Sequence, residues 1–256
     1  MMETEFSLDL PDLTVKCILT LPEGRVQRIV VGVHGIGGSS RDAIQNALAE
    51  EMSLFDSAVF RFDLPGHGRS PTDELTLAGC VDSLTAVARE ARKRFPEVED
   101  LCIFASGFGA YVTLVSMDRL LQLPGRLKLV VQTPSVRMDL TILAMCRLTA
   151  ETLWAMDSFL LRSPRPLKIT YRFFEELVDN FAVNTYPVPM LILHGEEDSF
   201  IRMADVRALR DKNELSKLVI IPGTSHRFLE SGAWDMVVDL ARDWFEFEQV
   251  LLSDWE

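Results

Sequence analysis

Residues 101–115 read LCIFASGFGAYVTLV. The first five, 101–105, form a short apolar run of the kind that makes a strand buried on both faces. Ser106 and Gly107 interrupt the run, and helical spacing takes over across 108–120. The reading is strand, very tight turn, helix.

Working outward from this unit, the pattern recurs. RIVVGV (28–33) is a continuous apolar run, and residues 43–53 read as a helix. SAVFRF (57–62) is a second buried strand, followed by a helical stretch over 75–95 that must end at Pro96. LKLVV (127–131), MLILH (190–194) and KLVII (217–221) are further buried strands, and a helix over 233–252 closes the pattern. Ahead of them, 13–21 reads as a strand with 3–9 as its hairpin partner, and PEGR (22–25) makes a turn. Strands alternating with helices from residue 28 onward predict an α/β fold with a mostly parallel sheet covered by helices on both faces.

The alternation breaks between about 135 and 187. That stretch has a helical pattern and no strong strand, and its RSPRP (162–166) must interrupt any helix. The expected organisation is therefore a core of residues 1–134 and 188–256, with 135–187 inserted as a helical cap. Such an insertion would cover the carboxyl edge of the sheet, where open α/β sheets bind ligands.

Composition narrows the function. A chain of 256 residues can bury a large core without staples. Lys and Arg number 26 against 38 Asp and Glu, a formal charge of −12 that argues against nucleic acid or an anionic membrane as the main partner. No apolar run approaches the ~20 residues that span a bilayer. The start, MMETEFSLDL, carries acids where a signal peptide carries Lys or Arg. The cysteines, Cys17, Cys80, Cys102 and Cys146, are widely spaced and form no CxxC pair, as expected of reduced thiols in a cytoplasmic protein. No His lies near a Cys at zinc-ligand spacing, so no metal site is expected.

The four histidines, His34, His67, His194 and His226, all fall in short segments just after strands. HGIGGSS (34–40) follows RIVVGV, and its glycines can present backbone N–H groups to an anion. FDLPGHGRS (62–70) demands a tight, specific loop, with Asp63 as a backbone anchor. HGEED (194–198) and PGTSH (222–226) place an acid after one strand and a histidine after the next. There a carboxylate can orient an imidazole as a general base.

In this order and spacing the four segments resemble the α/β-hydrolase superfamily over nearly the whole chain. The likeness is greatest to bacterial capped carboxylesterases, including feruloyl-type and lysophospholipase-like members, and to related serine peptidases. The resemblance implies ester hydrolysis through an acyl-enzyme, with a small-molecule ester or acid as partner and no metal or organic cofactor. It implies Asp198 as the triad acid, His226 as the base, and the backbone N–H groups of Ile36 and Phe108 as oxyanion donors. HG-x-x-D selects Asp198 over Glu196 and Glu197, and His34, His67 and His194 read as shaping residues.

One position departs from the family. Its nucleophile stands in G-x-S-x-G between the central strand and the following helix, and here that slot holds Gly107. Shifting the frame to Ser106 would put Phe104 and Phe108 where the elbow needs small residues, whereas Gly107 has Ala105 and Gly109. A glycine has no Oγ, so the usual acyl-enzyme cannot form. Three readings stay open: a serine hydrolase whose nucleophile was lost, a pseudo-hydrolase that binds an acid, an ester or a partner protein, and a catalyst in which His226 activates water directly. In the insertion, Met138, Met145, Trp154, Met156, Phe159, Phe173 and Phe174 could form an acyl pocket or pack the insertion onto the body. One of Arg137, Arg147, Arg162, Arg165 and Arg172 could hold a substrate carboxylate or phosphate.

Overall fold

In a computed structural model, which describes residues 1–248, an eight-stranded sheet runs in the order β1-β2-β4-β3-β5-β6-β9-β10. β1 (Met2–Asp9) pairs antiparallel with β2 (Thr14–Leu21), and β2 antiparallel with β4 (Ser57–Phe62). Every later pairing in this sheet is parallel, through β3 (Arg28–Val33), β5 (Asp100–Ser106), β6 (Arg126–Gln132), β9 (Met190–Gly195) and β10 (Ser216–Ile221).

The continuous apolar runs follow from this position. Successive side chains of a strand point to opposite faces. Ile29, Val31 and Val33 of β3, with Leu101, Ile103 and Ala105 of β5, enter the core under one face. Val30, Cys102 and Phe104 enter the core under the other. The first core is closed by helices that include α2 (Leu77–Arg94), α3 (Phe108–Val115) and α8 (Met203–Asp211). The second is closed by α1 (Ala43–Leu54) and α9 (Ala233–Phe247).

Several elements differ from the sequence-based expectation. The stretch over 108–120 is two helices, α3 and α4 (Met117–Leu120), broken at Ser116, whose hydroxyl bonds back to the Val112 carbonyl. β10 is the last strand of the sheet, so it is buried on one face only, with Ile220 exposed. α8 was not expected, although Val206 and Leu209 give it an apolar face. α9 ends at Phe247, and residues 249–252 of the expected helix lie outside the described residues.

The largest difference lies between β6 and β9. Instead of helices alone, the segment holds α5 (Met138–Cys146), α6 (Ala150–Met156), an antiparallel hairpin of β7 (Ser158–Leu161) and β8 (Leu167–Thr170), and α7 (Tyr171–Val178). RSPRP interrupts no helix, because it lies between β7 and β8 as the hairpin turn. Four-residue apolar strands such as SFLL are indistinguishable by periodicity from pieces of helix.

Candidate active site

All the sequence-flagged segments leave the carboxyl ends of parallel strands, so the topology gathers them at one edge of the sheet. At the end of β5 the chain turns at Gly107, with φ 51° and ψ −109°. This conformation is open to glycine and strained for any other residue. The turn is pinned on both sides. The Gly107 N–H donates to the Gln132 carbonyl at 2.9 Å, and its own carbonyl accepts from Tyr111 N–H at 3.2 Å. A Cβ on Gly107 would meet nothing within 4 Å, whereas one on Gly109 would stand 2.5 Å from the His34 carbonyl oxygen. Ser106 ends β5, and its hydroxyl donates to Gln132 Oε1 at 2.9 Å.

Asp198 and His226 are brought together by the loops after β9 and β10. Gly195 permits this, because a Cβ there would stand 2.5 Å from the Thr224 carbonyl oxygen. Glu197 N–H bonds that same carbonyl at 2.9 Å, and Glu196 accepts from Gly223 N–H at 3.0 Å. Glu196 thus ties the two loops together. The fully buried Asp198 carboxylate accepts from His226 Nδ1 at 2.8 Å and from the backbone N–H groups of Phe200 and Ile201 at 2.8 and 3.0 Å. Burial alone would raise the Asp198 pKa, but the imidazole hydrogen bond and these N–H donors outweigh it and hold it below the ordinary value. With its Nδ1–H donated to the carboxylate, His226 presents the lone pair of Nε2.

Of the other histidines, His34 and His67 hydrogen-bond backbone of the loops after β3 and β4. His34 Nδ1 bonds the Gly35 carbonyl at 2.8 Å, and its Nε2 accepts from Leu64 N–H at 3.1 Å. That arrangement requires the neutral ring, and burial lowers the pKa in the same direction. His67 lies against it with ring centroids 5.0 Å apart, and burial brings its pKa down to about 3. Asp63 accepts from the backbone N–H groups of Ser40 and Arg69 at 2.7 and 3.0 Å, joining the loops after β3 and β4.

A cavity of about 550 Å³ opens over this edge. Gly107, Phe108, His226 and Ile36 line it, so four of the five sequence-flagged site residues share one space. The fifth, Asp198, lies behind His226. The backbone N–H groups of Ile36 and Phe108 have no acceptor among the described residues. From the segment between β6 and β9, Met138, Met145 and Arg162 reach the cavity. Phe173 and Phe174 are core residues, and Trp154 and Met156 face solvent. Arg137 pairs with Asp139 at 2.8 Å.

Sequence reasoning missed several lining residues. Phe200 packs edge-on against His226 at 5.2 Å, and its place two residues after Asp198 was the available signal. Thr133, Arg227, Leu229 and Trp234 also line the cavity. Thr133 has φ 44°, an outlier for a β-branched residue that no sequence signal marks. Among the described residues no three His, Cys, Asp or Glu side chains converge to hold a metal ion.

Residues 30–240 match the model of the alpha/beta hydrolase family. Among solved structures the chain is similar to Est1E from Butyrivibrio proteoclasticus with ferulic acid bound. The TM-score is 0.80 at 19% identity, covering 95% of this chain and 98% of that one. It is also similar to mouse alpha/beta hydrolase domain-containing protein 10, with a TM-score of 0.75 at 16% identity over 96% and 100% of the two chains. An alpha-beta serine hydrolase homologue from Coxiella burnetii gives a TM-score of 0.66 at 20% identity over 94% and 96%. No curated protein sequence matches significantly.

Proposed function

The chain belongs to the alpha/beta hydrolase family, and from that premise we propose a site of carboxylic ester hydrolase type, complete in acid and base and lacking its nucleophile at Gly107. The observation that carries this reading is the 2.8 Å Asp198–His226 pair opening onto the same cavity as an elbow where a side chain has free room. An apparatus for activating a hydroxyl is present, together with the space for one.

The roles follow. Asp198 orients the imidazole, and His226 takes the proton of the attacking hydroxyl and returns it to the leaving alkoxide. The N–H groups of Ile36 and Phe108 hold the oxyanion as the carbonyl becomes tetrahedral. The segment 135–187 acts as a cap whose Met138 and Met145 contribute an apolar wall for a small ester or acid. Est1E, which binds ferulic acid, supports a ligand of that size. Ser106 does not replace the nucleophile, because its hydroxyl is engaged by Gln132 within the strand.

Without an oxygen at 107 the acyl-enzyme route is closed. Loss of the serine from such a triad lowers turnover on the order of 10⁶-fold, leaving ~10³–10⁴ over water from oxyanion and binding contacts. Gly107→Ser is expected to raise hydrolysis of short activated esters far above the unmodified chain. If the folded variant stays at background, a binding module without turnover replaces this reading. The open space at Gly107, in the cavity that His226 also lines, favours direct attack by water in the unmodified chain. That slow hydrolysis would disappear in His226→Ala, and equal rates in the two proteins would dismiss it.

A further inference from the structure

The turn between β7 and β8 carries two arginines with opposite surroundings. Arg165 donates to the backbone carbonyls of His67, Gly68, Ser70 and Thr72 at 2.5–3.3 Å and pairs with Asp73 at 2.5 Å. It fastens the hairpin to the loop after β4. Arg162, three residues earlier, has no hydrogen bond or ion pair among the described residues and lines the cavity. Its neighbour Ser163 sets that position, since Ser163 Cβ would lie only 2.8 Å from a Cβ on Gly37, in the loop that carries the Ile36 N–H. Across the chain, Arg227 directly follows the base. It too lines the cavity without a hydrogen bond or ion pair among the described residues.

We infer that the cavity receives a substrate bearing an anionic group, a carboxylate or phosphate, held by Arg162 and Arg227. The inference rests on the site reading proposed above and names its substrate class. Among the lining residues the carboxylate is Asp42, whose Oδ1 already accepts the Ser39 hydroxyl at 3.0 Å. The side chains lining the cavity thus include two arginines against the one carboxylate of Asp42, in a chain of net charge −12. Other arginines, Arg25, Arg89, Arg147, Arg172 and Arg207 among them, also lack an ion pair among the described residues, but none of these lines the cavity, whereas Arg162 and Arg227 do. A guanidinium fork matches the planar geometry of a carboxylate and the oxygens of a phosphate. Met138, Met145, Leu161 and Trp234 provide apolar wall for the rest of the molecule. The ligand that fits both features has an apolar body and a charged end.

The test begins with equilibrium binding to the unmodified chain, so that it does not depend on turnover. The probes are the half-ester of a six-carbon dicarboxylic acid, its neutral diester, and phenyl phosphate. At low salt an anionic probe should bind about tenfold or more tightly than the diester, as charge-assisted hydrogen bonds allow, and the advantage should shrink as salt rises. The tighter of the two anions identifies the group. In Arg162→Gln/Arg227→Gln the preference should vanish while diester binding persists. A diester that binds the unmodified chain as well as both anions, or a preference that survives in the double variant, overturns the inference. In the Gly107→Ser background the same double variant should raise KM for the half-ester far more than KM for the diester. Hydrolysis of both esters with no preference would remove the inference and keep the esterase reading. Half-ester binding without hydrolysis by the folded serine variant would do the reverse.

Discussion

At the scale of the residue, two glycines of one turn serve different ends. Gly107 has a left-handed φ with open space around its missing Cβ, so replacing it introduces backbone strain alone. Gly109 has no room, because two backbone carbonyl oxygens, of His34 and Val33, stand 2.5 and 2.6 Å from where a Cβ would be. Gly107→Ala should therefore lower stability by about 1–3 kcal/mol. Gly109→Ala should lower it more, because backbone rather than a movable side chain is struck. Denaturant midpoints of the two variants check the order, and an equal or reversed order would show that the close backbone approach at Gly109 is not the costlier constraint. This contrast was half legible in the sequence. Small residues flanking a turn signal close packing, and the late G-x-x-H with HG-x-x-D signals an acid and a base. What the sequence does not carry is which lining residues accompany them. Phe200, Thr133 and Arg227 are placed by loop paths, and no periodicity encodes those paths.

At the scale of the element, the alternating strands and helices were readable because burial on both faces leaves continuous apolar runs in β3, β4, β5, β6 and β9. The β7–β8 hairpin was not, since two four-residue strands leave no such run and gain their order from contacts distant in sequence. Leu167 and Ile169 make such contacts by entering the core, and Arg165 makes others. Removing it as Arg165→Ala leaves the carbonyls of the 67–72 loop without their donor, which should lower stability by about 2–3 kcal/mol. It should also expose residues 158–170 to proteolysis. Arg165→Lys should recover only part of this, because an ammonium cannot span the same acceptors. Cleavage of the hairpin no faster than in the unmodified chain would show that the turn is held by other means. Lys128 does similar work in β6. Its buried ammonium donates to the Phe245 carbonyl at 2.8 Å and pairs with Asp100 at 3.0 Å. Lys128→Ala should lower stability by about 3–5 kcal/mol by leaving these partners uncompensated, and a shift under 1 kcal/mol, within the range of a surface pair, would contradict that.

At the scale of the whole molecule, three of the four histidines are buried, and burial pushes the pKa values of His34, His67 and His194 down. A histidine with a lowered folded pKa stabilises the fold above its unfolded value near 6.5, and the contribution fades as pH falls below that. Each group removes up to about 1.4 kcal/mol per pH unit in that window. Among the carboxylates with lowered values, the largely buried Asp198 and Asp100 are felt at lower pH, below the ordinary carboxylate range. Stability should therefore fall steeply between pH 6.5 and 5 while these acids are still ionised, and a flat profile there would contradict the neutral-histidine architecture. The same architecture holds the loops around the cavity and, with them, the Asp198–His226 pair proposed to serve position 107. The most direct test of that pair is covalent. The folded Gly107→Ser protein should react stoichiometrically with a fluorophosphonate, with the adduct at position 107, and the reaction should be lost on adding His226→Ala. No adduct in the folded variant, or labelling indifferent to His226→Ala, would contradict the claim that the site lacks only its nucleophile.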